Sequence, residues 1–208
     1  MNAEVISQCR VDDVARSSAS RIIATTQRMS RMIFQLLHFA RARLGGGFPL
    51  EPKPTNLREV CQTVAEEFGA TIRLDLEGDV TGTWDADLLV EALSNIAGNA
   101  VEHARAGTEV VVRARPEGAE VVVEIINRGD PIPPDLLPVI FEPFRRGTRE
   151  TSAPGNLGLG LYIAKQIALT SGGKLDARSA DGTTTFTMRL PRQSPPARPA
   201  SQQVQARV

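Results

Sequence analysis

The sequence predicts an α+β fold: a two-layer α/β sandwich in which helices cover one face of a mixed, largely antiparallel sheet, preceded by a long amphipathic helix. Three observations carry this. Apolar residues recur at three- and four-residue steps between Ser17 and Leu44, through Ile22, Met29, Ile33, Leu36 and Ala40. The β-branched runs Val110–Arg115 and Val121–Asn127, joined through Pro116-Glu117-Gly118, mark an antiparallel hairpin. Helical periodicity then alternates with further strand-like runs as far as Leu190.

In chain order, residues 1–16 are polar and without period, and read as a flexible N-terminus. The long helix of residues 17–44 ends at Gly45-Gly46-Gly47, and residues 45–55 read as a proline-punctuated linker. Asn56-Leu57-Arg58-Glu59 fits a capping box opening a helix to about Phe68. A short strand (Thr71–Leu76) and a turn around Gly78–Gly82 follow. Asp85 caps a helix reaching about Ala104, and the hairpin comes next. After a proline-rich turn the pattern gives a short helix near Asp135–Ile140 and a longer one over Gly158–Thr170. Strands over Lys174–Ser179 and Thr184–Leu190 complete a domain spanning 56–191. The tail 192–208, rich in Pro, Gln, Ser and Ala, reads as disordered.

Composition narrows the function classes. Of 208 residues, 41% are hydrophobic and 23% charged, with 24 basic and 24 acidic side chains. Zero net charge excludes a general nucleic-acid binder working by phosphate neutralisation. Cys9 and Cys61 are far apart, without metal-ligand spacing, and read as reduced thiols of a cytoplasmic protein. No stretch approaches a membrane span, so no membrane segment is expected in this chain. The stripe of residues 17–44 cannot bury itself alone and calls for a partner helix.

Three features carry chemistry. On the helix after Asp85, Leu89, Leu93, Ile96 and Ala100 form the apolar stripe, while Glu91, Asn95 and Asn99 form a polar line about one residue off it. Asparagine is a poor helix-interior residue, yet alone this line reads as a water-satisfied polar shoulder rather than a ligand site. Asn127-Arg128-Gly129-Asp130-Pro131-Ile132 ends a strand with one polar group and an apolar wall suited to a planar ring; alone it reads as a stiffened turn. Phe141-x-x-Phe144-x-Arg146 is followed by a polar segment and then Gly158-Leu159-Gly160-Leu161. Glycines at a helix start leave N–H groups unshielded, a weak sign of anion binding that Arg145, Arg146 and Arg149 strengthen.

In succession, these motifs resemble the four nucleotide-binding boxes of the histidine-kinase catalytic domain, of the superfamily shared with gyrase and mismatch-repair ATPases. The resemblance implies the GHKL (Bergerat) ATP-binding fold. Gly182–Pro191 looks like the family's closing strand, and Met29–Leu44 like the second helix of its dimerisation hairpin. It implies that Asn99 is a ligand of Mg²⁺ and that Asn95 sits where hydrolytic relatives place a glutamate base. Asn127 replaces the adenine-reading aspartate, with Gly129 admitting the base and Ile132 walling it. Arg146 resembles the arginine near the terminal phosphate, and Gly158 and Gly160 would offer N–H groups, with Thr184 nearby. The sequence departs from the pattern at Pro131, Asn156 and Thr183, and at Glu102 and His103, where lysine and tyrosine are usual; His103 is left as a candidate phosphate contact.

The implied function is the ATP-binding catalytic part of a two-component sensor histidine kinase. It would transfer the γ-phosphate of Mg·ATP to a histidine and signal to a response regulator. His38, followed by Phe39-Ala40-Arg41, does not fit an acceptor, and sixteen residues before Ser17 are too few for a first hairpin helix. The acceptor is therefore expected on another chain, a histidine-containing phosphoacceptor domain, with a homodimer or heterodimer formed through residues 17–44. Two alternatives stay open: a non-catalytic nucleotide- or partner-binding regulator of an intact kinase, and an anti-sigma-type serine kinase.

Overall fold

The computed structural model describes residues 49–145 and 157–194, together with positions 17, 18, 22, 25, 26, 29, 32, 33, 36, 37 and 39. Its five-stranded sheet has the order β2-β4-β5-β7-β6, formed by β2 (Ile72–Leu76), β4 (Val110–Glu117), β5 (Glu120–Arg128), β6 (Lys174–Ala180) and β7 (Thr183–Pro191). The β2–β4 pair is parallel and the other pairs are antiparallel, giving the mixed sheet expected. Helices α1 (Leu57–Phe68), α2 (Ala86–Glu102) and α3 (Gly160–Thr170) pack against it.

Burial follows the sequence periods. On α2, Leu89, Leu93, Ile96 and Ala100 are buried, and on α3 Ile163, Ala164, Ile167 and Ala168. On β7 the alternate residues Thr184, Phe186, Met188 and Leu190 are buried. Each large apolar side chain so buried contributes about 1.5–3 kcal/mol. The opposite sheet face carries ions: Arg113 pairs with Asp75 at 2.9 Å, and Arg189 with Glu117 at 2.9 Å. Side-chain caps fix the helix starts, Asn56 Oδ1 accepting from the Arg58 N–H and Asp85 Oδ1 from the Leu88 N–H.

Four expectations are corrected. Part of the expected linker is a strand, β1 (Lys53–Asn56), paired antiparallel with β3 (Thr81–Trp84), which overlaps the expected turn. Pro54 is tolerated because β1 lies at the edge of this two-stranded sheet. The domain continues past residue 191. Arg192 donates to the carbonyls of Thr81 and Asp79 at 2.6 and 2.8 Å, and Gln193 bridges to Thr83. The helix expected over 135–140 is only a 3₁₀ turn, Leu137–Val139, in a segment where prolines lack the N–H a longer helix needs. The last helix starts at Gly160, since the φ of +68° at Gly158 is not helical.

The described positions between 17 and 39 are helical. Ile22, Met29, Ile33, Leu36 and Leu37 are exposed there, so their apolar stripe is not covered by this chain's own described residues. Phe39 is half-buried against the domain. Among the described residues no helix is long and apolar enough to cross a membrane.

Candidate functional site

The sheet alternation decides which polar groups point beneath the helices. Asn127 and Thr184 are opposite each other in the β5–β7 pairing, and both lie on the helix-covered face. They are 3% and 5% exposed, where their neighbours in the same rows are apolar. Thr184 Oγ1 lies 2.8 Å from Ser179 Oγ, which also accepts from the Ile132 N–H at 2.9 Å. The Asn127 carboxamide has no hydrogen-bond partner among the described residues. A carboxamide without a protein partner at a nearly buried position keeps its donor and acceptor available to a ligand.

Gly129 follows Asn127 where the chain crosses the end of α2. A Cβ there would collide with the His103 carbonyl and lie 3.4 Å from Asn127 Nδ2. The Gly129 N–H donates to the Gly182 carbonyl at 3.0 Å, tying this crossing to the β6–β7 turn. His103 is itself the exposed C-cap residue of α2, its N–H bonded to the Asn99 carbonyl at 3.1 Å.

The other wall is the start of α3. A Cβ at Gly160 would come within 3.0 Å of Asn95 Oδ1, so the Asn95 side chain lies over the first turn of this helix. The N-cap residue of α3, Leu159, makes no side-chain capping bond to that turn. Gly158 has no space for a side chain either, since a Cβ would lie 2.7 Å from the Arg145 carbonyl oxygen. The Phe144 N–H donates to the Gly158 carbonyl at 2.9 Å, joining the two sides of the segment between them.

The structure therefore brings Asn95 to Gly160, and Asn127 to Gly129, Thr184 and, through Ser179, Ile132. Asn99 is half-buried one turn after Asn95 on α2. Arg146 and His38 lie outside the described residues. Sequence reasoning missed Ser179; the available signal was its place in the inward alternation Leu175, Ala177, Ser179, where a hydroxyl replaces an apolar side chain. It also missed the packing of Phe39 against Phe144 and Tyr162, with ring centroids 5.0 and 5.8 Å away.

Comparison with known proteins agrees with this fold. Residues 84–194 match the family model described as histidine kinase-, DNA gyrase B-, and HSP90-like ATPase. A bacteriophytochrome of Pseudomonas aeruginosa is 31% identical over 176 residues, covering 82% of this chain and 24% of that protein. The sensor protein CzcS of Cupriavidus metallidurans is 37% identical over 173 residues, covering 79% of this chain and 36% of that protein. The chain thus spans about a third or less of these relatives' length. The solved structure of the mycobacterial sensor histidine kinase MprB matches with a TM-score of 0.60 at 26% identity, over 70% of this chain and all of that one. With its mixed sheet and a family match over more than half of its length, the chain belongs to the histidine kinase-, DNA gyrase B- and HSP90-like ATPases, as a catalytic domain of the sensor-histidine-kinase kind.

Proposed function

We propose that the residues at α2, the tip of β5 and the start of α3 bind Mg·ATP, and that the domain passes the γ-phosphoryl group to a histidine outside these 208 residues. The observation that carries the proposal is the approach of Asn95, midway along α2, to Gly160 and of His103, the C-cap of α2, to Gly129. Together they line up phosphate- and base-binding elements along one helix.

In this reading Asn127 and Thr184 take the base edge, Gly129 lets the ring approach, and Ile132 walls it. Gly158 and Gly160 present N–H groups to the phosphates. Asn99 gives its amide oxygen to Mg²⁺, and His103 and Arg146 approach the phosphates from the helix end and the segment before Gly158. A divalent cation held by Asn99 would supply neutralisation of the phosphate charge. Asn95, being an amide, cannot take a proton from water, which favours transfer to a protein over hydrolysis. In the transfer, the bond from the γ-phosphorus to the bridging oxygen breaks, a P–N bond forms to imidazole, ADP leaves and the imidazole proton goes to solvent. The exposed stripe Ile22, Met29, Ile33 and Leu36 supports dimerisation through residues 17–44, with a response regulator as downstream partner.

The test is radiolabelled ATP added to the full chain with Mg²⁺, alone and with a panel of separately purified histidine-containing dimerisation hairpins. The expected result is acid-labile label on a hairpin, none on this chain, and loss of transfer in Asn99→Ala. Nucleotide binding without transfer to any hairpin would favour the non-catalytic regulator instead. Self-labelling abolished by His38→Gln would place the acceptor inside the chain.

A further inference from the structure

The geometry points to a base pocket whose hydrogen-bond polarity is reversible, so that the site takes 6-oxopurine as well as 6-aminopurine nucleotides. The inference rests on the nucleotide-binding reading and concerns which bases that site accepts.

Two groups meet the base edge, and neither has a fixed polarity. Asn127 is 3% exposed and its carboxamide has no hydrogen-bond partner among the described residues, so none of them fixes which end faces the ligand. Rotating the carboxamide by half a turn exchanges a carbonyl acceptor for an NH₂ donor at nearly the same position. An ionised carboxylate at this place would offer acceptors only.

Thr184, opposite Asn127, is reversible for a different reason. Ser179 Oγ accepts the Ile132 N–H at 2.9 Å and lies 2.8 Å from Thr184 Oγ1, where either hydroxyl serves as donor. If Ser179 donates, the Thr184 O–H is free to donate to the base. If Thr184 donates to Ser179, its remaining lone pair is left to accept. Ser179 is therefore a positioning residue: it holds the Ile132 wall in place and lets the Thr184 hydroxyl take either role.

The two settings match the two purine edges. A 6-aminopurine offers an N–H at position 6 and a lone pair at N1, which need an acceptor from Asn127 and a donor from Thr184, directly or through one water. A 6-oxopurine offers a carbonyl at position 6 and an N–H at N1, which need the reverse. Both changes are rotations about single bonds and leave the backbone in place.

The experiment is calorimetry on the full chain with Mg·ADP and Mg·IDP, whose bases differ only at position 6 and N1. The native chain is expected to bind the two within about tenfold of each other, where a site of fixed polarity rejects the wrong partner by about 10⁴-fold or more. In Asn127→Asp the IDP:ADP ratio of dissociation constants should rise at least about tenfold, through loss of IDP. Discrimination by the native chain beyond about tenfold overturns the inference, and this arm needs no variant. A ratio unchanged in a folded Asn127→Asp chain also overturns it. If ADP binds and IDP does not, only this inference fails; if neither binds, the nucleotide reading fails with it.

Discussion

The ring of Phe39 meets the ring of Phe144 edge-on, with centroids 5.0 Å apart and planes inclined by 69°. Phe144 has a φ of +63°, a conformation a bulky side chain adopts only when its surroundings enforce it. Its N–H is bonded to the Gly158 carbonyl, and the Tyr162 ring on α3 also faces Phe39. Phe39, a helical residue, thus packs on the point where Phe144 is tied to Gly158 before α3.

That contact is measurable as coupling. In a double-mutant cycle of Phe39→Ala and Phe144→Ala, read by denaturant unfolding of the full chain, we expect about 0.5–1.5 kcal/mol of interaction energy. Strict additivity would mean that the two rings do not hold each other in solution.

Gly158→Ala should damage the site more than the fold. The new Cβ would meet the Arg145 carbonyl oxygen and carry a residue at φ +68°, costing about 1–3 kcal/mol. Relief comes by moving the start of α3, so nucleotide affinity should fall by at least about tenfold in calorimetry. Unchanged affinity would show that this turn does not face the nucleotide.

Arg192→Ala should loosen the strap that follows β7. The side chain donates to the carbonyls of Asp79 and Thr81 and to Asp79 Oδ2. These oxygens lie at the surface, so the loss should be modest, about 0.5–2 kcal/mol. Trp84, the one tryptophan of the sequence, is fully buried, and its indole N–H donates to the Pro191 carbonyl at 2.7 Å. Its emission should therefore shift to the red at lower denaturant in the variant than in the native chain.

Cys61 gives an alkaline limb to stability. Burial pushes its thiol from an ordinary 9.0 up to about 12, against a smaller downward pull from the Arg58 charge. The folded state keeps the proton that the unfolded chain loses above about 9, so stability is complete below that pH and declines as pH rises towards 12, by at most about 1.4 kcal/mol per unit. Unfolding free energies measured from pH 8 to 11 should fall less steeply in Cys61→Ala than in the native chain. Parallel slopes would show that the thiol ionises without cost.

What the sequence reveals depends on how local the cause is. The α2 stripe and the β4–β5 hairpin are legible because period and turn chemistry lie within a few residues. β3 is not, since Thr81-Gly82-Thr83-Trp84 reads as a turn until β1 and Arg192–Gln193 pair with it from either side. Gly82 is there because a Cβ would strike the Trp84 ring, a reason only the packed structure supplies. At the candidate site, Asn95, Asn99, Asn127 and the glycines are legible through their succession along the chain, since each motif alone reads as a polar shoulder, a stiffened turn or a weak sign of anion binding. Ser179 does not stand out, because one hydroxyl in an alternating strand acquires meaning only beside Ile132 and Thr184.

Backbone amide chemical shifts followed by NMR during titration with Mg·ADP test the convergence of these elements most directly. The account predicts that the largest changes fall together on residues 95–103, 127–132, 158–160 and 179–184, at one common dissociation constant. Saturable changes confined to another face, or none at millimolar nucleotide, would contradict it.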